Sequence, residues 1–547
     1  MTGSSTIDVP RGHTRSACGR GRAGSDTDVN RSVGVRVDRL EVRAGRTPLL
    51  HDLSLAVHPG ELFAVAGVSG AGKSTLLETV AGIRQPAEGA VRFTSTGPRR
   101  PDAVVGFVPQ DDVIHRDLPL RTGLRYTARL RLPSGLGADE LDALVDRVLD
   151  ELHLGGCAAV RVGSLSGGQR KRASIAAELL TRPDVLLLDE PTSGLDPVTA
   201  AEVLSVLREL TGRGTTVVFT THHLGELQRA DRFAFLGRRG RTVFTGSAAD
   251  AREALGSDDL AELYRVEMLD PTPTPSAHPL EMEVPRAAAG TGRARSPRRR
   301  ATDAVVQLGV LTRRNAALLA ANRLTLATLV GSPAAVIAMM VVLFPPAGAG
   351  TTTAQVQLPF WIAFAAFFFG LTAGLLQIVP EAAVAARERR AGVGATVYVL
   401  SKVGSLVPVL VTASAGMLVA LGTFDRLPTA ANWSPTALAT TALLIALSAL
   451  GLGLLASALV RDPSQATLAL PMLCFPQVLF AGAVVAVDEM APAGRLISHG
   501  MSSRFGLEGI IVSLDAGATG LPVHQWVVLG LLTASTITAT ALVLHRR

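Results

Sequence analysis

The sequence predicts two domains in series: an α/β domain built around a phosphate-binding loop, then an all-α membrane domain of six transmembrane helices. Three observations carry this reading. Short apolar strands alternate with helical periodicity between about residues 35 and 265. A glycine-rich loop ending in Gly72-Lys73-Ser74-Thr75 separates a strand from a helix. Six apolar runs without Asp, Glu, Lys or Arg then follow, near 324–344, 358–379, 403–424, 437–460, 466–487 and 526–544. At about 1.5 Å rise per residue, each is long enough to cross ~30 Å of hydrocarbon.

Composition agrees with a soluble part joined to a membrane part. The 547 residues are 48% hydrophobic with a positive mean hydropathy, and residues 1–300 hold most of the charge. Such a length exceeds one hydrophobic core. The net charge of +7 could suggest nucleic acid. Much of the excess, however, falls in an Arg/Gly/Ser-rich tail (1–34) and in a linker (266–303) around Arg293–Arg300. Both are expected to be disordered: solvated segments, or segments attracted to an anionic leaflet. No nucleic-acid partner is expected. Cys18, Cys157 and Cys474 make neither a disulfide framework nor a metal-ligand spacing. Residues 1–30 lack the apolar core of a cleavable signal peptide, so the chain is expected to start in the cytosol. Only three of the 53 basic residues are lysine, Lys73, Lys171 and Lys402, which singles out each of them.

The nucleotide domain is placed at 35–265. Its strands are expected at Val35–Val42, Leu53–Val57, Leu62–Ala66, Val104–Val108, Val185–Leu188 and Thr216–Thr220. Helix Ala138–Leu152 puts Leu141, Leu144, Val145, Val148 and Leu152 on one face. The membrane domain, 304–547, opens with an amphipathic segment, Val306–Arg323, expected to lie at the membrane surface. Pro333, Pro408, Pro471 and Pro476 fall inside spans, where neighbouring helices can satisfy the freed carbonyls. With an even span count both termini share one side. Arg387, Arg389, Arg390, Lys402, Arg461, Arg546 and Arg547 then face inward, against Arg426, Arg495 and Arg504 outward, as the positive-inside rule requires.

The chemistry sits in the first domain. In Gly67-Val-Ser69-Gly70-Ala71-Gly72-Lys73-Ser74-Thr75 the glycines let backbone N–H groups wrap phosphates at a helix N-terminus. Lys73 can reach the β/γ-phosphates and the Ser74 hydroxyl can bind Mg²⁺. This pattern alone fits any P-loop NTPase. Val185–Leu188 is a buried strand ending in Asp189-Glu190; Asp189 suits Mg²⁺ through water, and Glu190 suits orienting or deprotonating the attacking water. Such an acidic pair can equally be a helix cap. Leu165-Ser166-Gly167-Gly168-Gln169, with Ser166 23 residues before Asp189, resolves this. It opens a second anion-binding helix, Gln169–Leu180, and one phosphate chain does not need two cradles from one subunit. Two subunits packed head to tail would sandwich ATP between the loop of one and the Ser-Gly-Gly of the other.

With these motifs the chain resembles the ATP-binding cassette (ABC) transporters. The resemblance implies a Q-loop Gln110 that also touches Mg²⁺, a D-loop Asp196 in Ser193-Gly-Leu-Asp196, and a switch histidine, His222, in Thr220-Thr-His-His223. It makes Glu190, His222 and Gln110 catalytic, residues 67 and 69–75 phosphate-binding, and Ser166, Gly167, Gly168 and Gln169 the signature that meets the partner's ATP. Mg²⁺ would be held by Ser74, Gln110 and Asp189. The family usually stacks an aromatic on adenine just upstream of the P-loop. Val42-Arg-Ala-Gly45 has none there, which leaves Arg43 to stack or the base weakly held.

From about residue 35 the chain is similar to White-type (G-subfamily) half-transporters, whose cassette precedes the membrane domain. The supporting stretches are Phe107–Asp112, Ala128–Pro133, Gly168–Arg172, the charged segment Glu381–Arg389, and Ile497–Ser503. The resemblance implies ATP-driven export of an apolar or lipid-like substrate across the cytoplasmic membrane. It further implies a second half-transporter as partner, in a homodimer or a heterodimer, with cassette and termini cytoplasmic. Residues 381–390 are expected to carry motion into the spans, and the Phe-rich second span (Phe360, Trp361, Phe364, Phe367, Phe368, Phe369) could line an apolar cavity. The alternative is a membrane-anchored ATPase acting mechanically or in signalling. The short outer loop, about 488–525, counts against it, and six spans exclude a soluble cassette ATPase.

Overall fold

The computed structural model describes residues 32–95, 103–133, 135–269, 297–346, 352–427, 433–514 and 520–546. Residues 1–31 of the basic tail and 270–296 of the linker lie outside them. The first domain runs β1 (Val33–Ala44), β2 (Thr47–Val57), β3 (Leu62–Gly67), α1 (Lys73–Val80), β4 (Glu88–Ser95), β5 (Val105–Val108), α2 (Leu120–Arg131), α3 (Ala138–Glu151) and α4 (Gly167–Leu179). It continues through β6 (Val185–Leu188), α5 (Pro197–Gly212), β7 (Thr216–Thr220), α6 (Leu224–Leu227), β8 (Arg232–Leu236), β9 (Thr242–Gly246), α7 (Ala248–Leu255) and α8 (Glu262–Leu269).

Strands β2-β1-β4 form an antiparallel sheet, and β5-β6-β7-β3-β8-β9 form a second, parallel except for β9. The near-continuous apolar runs of β3, β6 and β7 follow from this, because a parallel sheet is covered on both faces. Alternate residues feed two cores. Leu62, Ala64, Leu186, Leu188, Val217 and Phe219 join the helices α2–α5. Phe63, Val65, Leu187 and Val218 join the antiparallel sheet and α1. Ligand sites in such sheets lie off the carboxyl ends of the strands, where β3, β6 and β7 deliver Gly67, Asp189 and Thr220.

The second domain is all helix: α9 (Pro297–Ala321), α10 (Arg323–Leu343), α11 (Thr352–Leu375), α12 (Ala382–Arg390), α13 (Ala395–Thr423), α14 (Pro435–Leu459), α15 (Pro463–Leu479), α16 (Pro492–Ser498), α17 (Ser502–Leu514) and α18 (Val523–Arg546). Among the described residues five helices are long and apolar enough to span a membrane: Arg323–Leu343, Gln357–Arg390, Ala395–Thr423, Pro435–Leu459 and Val523–Arg546. The sixth expected run, 466–487, falls short. It yields the 17-residue α15, which stops at Leu479 three residues beyond the second of two internal prolines, Pro471 and Pro476. Proline removes an N–H and crowds the carbonyl four residues back. The chain then turns at Gly482 with φ 90°. Residues 488–525 are not a plain loop either: α17 returns into the bundle and buries Phe505, Leu507 and Ile510.

The tightest helix pair is α11 against α14. A Cβ on Gly370 would fall on the Ala446 carbonyl, and one on Gly374 would meet Leu450 O at 2.7 Å. Two glycines one helical turn apart thus let the backbones touch, the usual way helices associate in lipid.

The segment expected at the membrane surface is the longer α9, and two of its polar side chains are buried. Arg314 and Asn315 are 1% and 2% exposed. Arg314 pairs with Glu388 of α12, and Asn315 Nδ2 donates to Ser401 of α13 at 3.0 Å. Lys402 also lies inside α13 rather than in a connection; its Nζ donates to Glu381 at 2.6 Å.

Candidate functional site

The loop after β3 is shaped by what it must leave uncovered. Gly72 caps α1 in a left-handed conformation (φ 90°), and a Cβ there would meet Leu49 O at 2.9 Å. No side chain caps α1, and its first turn holds no acid. The N–H groups of Lys73, Ser74 and Thr75 therefore open onto the loop, a cradle that suits an anion. Lys73 is buried and its Nζ donates to Gly67 O at 2.9 Å and Val68 O at 3.2 Å. Burial holds its pKa below the ordinary lysine value, opposed by the charges of Glu190 and Asp189. The Ser74 side chain is exposed and free to reach a metal. The donor set of the cradle fits a phosphate chain.

Asp189 and Glu190 follow β6. Glu190 is in the left-handed region, φ 44°, which turns its carboxylate away from the path of the strand. There it meets two of the other sequence-predicted residues. Gln110 Nε2 donates to Glu190 Oε2 at 3.1 Å, and His222 Nδ1 lies 3.4 Å from Glu190 Oε1. His223, whose ring centroid lies 4.1 Å from that of His222 with the rings tilted, stands at the first position before α6. Gln110, Glu190 and His222, spread over 112 residues of sequence, thus form one cluster.

Ser166, Gly167, Gly168 and Gln169 gather elsewhere, at the start of α4. Ser166 Oγ accepts the Gln169 N–H at 3.3 Å, and the Gln169 side chain accepts the Ser166 N–H at 3.0 Å. This is a capping box, a local role that the Ser-Gly-Gly-Gln pattern also encodes. Asp196 caps α5: Oδ1 accepts the Val198 and Thr199 N–H groups at 3.0 Å each, and Oδ2 accepts the Thr199 hydroxyl at 2.6 Å. The Thr199 hydroxyl bond, then the backbone bonds, hold the Asp196 carboxyl below the usual range. The Thr199 methyl packs on Gly168, so the Asp196 turn supports the Ser-Gly-Gly turn directly. Arg43, expected from the sequence to stack on the base, donates to Glu41 at 2.6 Å, at an exposed position on β1.

Two contributions escaped the sequence reading. Lys171 of α4 donates to the Gln110 carbonyl at 2.7 Å and lies 3.6 Å from Asp112, so it ties the Ser166 helix to the Gln110 loop. Its rarity in an arginine-rich chain was the available signal. Further along the same loop, His115 Nε2 is 4.0 Å from Glu388. With the Tyr126, Leu130, Val310, Leu311, Val393 and Val397 cluster, this joins the nucleotide domain to α9 and the turn after α12. No local pattern in the sequence announces such a junction.

The family pattern described as ABC transporter matches residues 50–193, and that described as ABC-2 type transporter matches residues 306–514. The chain is also 36% identical over 230 residues to the Nod factor export ATP-binding protein I of Burkholderia thailandensis, covering 41% of this chain and 75% of that one. The chain belongs to the ABC transporter family. Its transporter relatives include an ABC transporter ATP-binding/permease protein of Mycobacterium tuberculosis, 31% identical over 512 residues, which covers 88% of this chain. They also include Protein white of Drosophila melanogaster, 38% identical over 238 residues and 41% of this chain. The chain spans 58% of the length of the mycobacterial relative and 34% of Protein white. A cassette followed by an ABC-2 type membrane domain, with White and G-family relatives, gives the ABC transporter a White-type layout.

Proposed function

We propose that this ABC transporter is one half of an ATP-hydrolysing exporter of apolar or lipid-like molecules, working as a dimer in the cytoplasmic membrane with its cassette in the cytosol. The observation that carries the ATPase part is the meeting of Gln110, Glu190 and His222 beside the Lys73 loop. The P-loop N–H groups and Lys73 bind the phosphates. Mg²⁺, held by Ser74, Asp189 and Gln110, would supply charge neutralisation on them. Glu190 orients the attacking water and accepts its proton, while Gln110 and His222 fix the Glu190 carboxylate. The turn of Ser166, Gly167, Gly168 and Gln169, with Ser166 exposed and the Asp196 turn packed beneath Gly168, suits the ATP of a second subunit, in a homodimer or with a paralogue.

The apolar substrate class rests on a cavity of about 210 Å³ between α10 and α11, lined by Val336, Met339, Met340, Trp361, Phe364 and Phe368 among other apolar residues. Of the Phe-rich run, Phe360, Phe367 and Phe369 are buried in the bundle, leaving the other three rings to the cavity. Pockets for whole drug-sized ligands start at about 300 Å³, so this one accommodates an acyl chain or a ring system. The export direction is supported by the Burkholderia relative, whose name is that of an export protein. The test is uptake into inside-out vesicles of a panel of labelled lipids and drugs. ATP-dependent uptake of at least one apolar compound, absent with Glu190→Gln, is expected; uptake of none by an ATP-hydrolysing wild type would refute the transport reading.

A further inference from the structure

Thr220 ends β7 and is fully buried. In the parallel register Leu188 of β6 lies opposite Phe219, and Val65 of β3 opposite Thr220. One step further along, Thr220 stands beside Asp189. Its Oγ1 donates to Asp189 Oδ1 at 2.7 Å and accepts the Glu190 N–H at 2.8 Å. A hydroxyl has one proton to give and lone pairs to receive, so one oxygen makes both bonds together.

Both bonds are needed because the chain leaves the ladder at this point. The Asp189 N–H still finds Val108 O at 2.9 Å. The Glu190 N–H has turned away with its residue, whose φ of 44° is left-handed. A non-glycine residue stays in that region only where its surroundings over-determine it. Here the Thr220 hydroxyl is the acceptor that fixes the turn, and the turn is what aims the Glu190 carboxylate at Gln110 and His222.

We propose that Thr220 is a positioning residue for ATP hydrolysis: its hydroxyl locks the metal-binding acid and the water-orienting acid to each other. The inference rests on the ATPase reading of this site. Valine has nearly the same shape as threonine and suits a buried strand at least as well. A threonine present only for its shape would therefore tolerate Thr220→Val, whereas loss of a needed hydroxyl strands the Glu190 N–H.

The test uses the full chain in lipid vesicles, measuring ATP turnover against ATP and against Mg²⁺. Thr220→Val is expected to lower kcat about ten- to a hundredfold and to raise the Mg²⁺ concentration for half-maximal rate. The KM for ATP should stay within about twofold, because the P-loop is untouched. Thr220→Ser, which keeps the hydroxyl, should restore most of the rate. A Thr220→Val protein with wild-type kcat and Mg²⁺ dependence would overturn the proposal, as would Thr220→Ser as impaired as Thr220→Val. Should Thr220→Val not fold, Thr220→Ala against Thr220→Ser makes the same comparison: an active Ser with an inactive Ala supports the role, and equal impairment removes it. Wild-type chain that turns over no ATP overturns the ATPase reading and this inference with it.

Discussion

Arg314 of α9 and Glu388 of α12 meet as a buried two-pronged ion pair, with Arg314 Nη2 donating to Glu388 Oε2 at 3.1 Å. A buried charge that loses its partner costs about 3–5 kcal/mol. Glu388→Gln and Arg314→Ala should therefore each lower the thermal unfolding midpoint clearly. The exchanged pair Arg314→Glu with Glu388→Arg should recover part of the loss. A single mutant melting like wild type would show that the pair contributes little.

The same junction is expected to sense acid through His115. Burial, then the charge of Arg314, lowers its pKa from the ordinary 6.5 to about 4, with Lys402 acting in the same direction and Glu381 and Glu388 opposing. The unfolded histidine binds a proton below about 6.5, whereas the folded one does so only near 4. Stability is therefore fully present above about pH 6.5 and falls as pH drops toward 4, by up to roughly 3 kcal/mol. His115→Asn should flatten unfolding-midpoint profiles between pH 6.5 and 4, and an unchanged slope would exclude His115 as the titrating group.

Close packing of α11 on α14 leaves no room for a side chain at Gly370. Gly370→Leu should separate the two helices and abolish recovery of folded protein from detergent, as followed by size-exclusion chromatography. Gly416→Leu, where a Cβ meets nothing within 4 Å, serves as the control and should behave as wild type.

Lys73→Ala removes the only ammonium group in the loop and the bonds that hold it to Gly67 and Val68. A buried charge-assisted contact to phosphate contributes about 1.5–3 kcal/mol. Nucleotide affinity, read by a fluorescent ATP analogue, should fall roughly ten- to a hundredfold. Undiminished affinity would place the phosphates elsewhere.

The glycine-rich turns of the cassette are legible in the sequence because they are local. Gly70-Ala-Gly72-Lys73 and Ser166-Gly-Gly168 encode their turns within a few residues. Apolar composition likewise marks α10, α11, α13, α14 and α18. The sixth run forms a shorter helix than its hydropathy suggests, because hydropathy does not see that Pro476 and Gly482 end α15 early. Arg314 looked like a surface arginine because its partner Glu388 stands 74 residues away. Thr220 passed for an ordinary strand residue, since nothing beside it in sequence reveals that its hydroxyl reaches the acids ending β6.

The most direct measurement is ATP turnover and nucleotide retention by the purified transporter in lipid, comparing wild type with Glu190→Gln. Wild type should hydrolyse ATP in the presence of Mg²⁺, while Glu190→Gln should keep ATP bound and release no phosphate. Normal turnover in Glu190→Gln would contradict the role assigned to the Gln110–Glu190–His222 cluster.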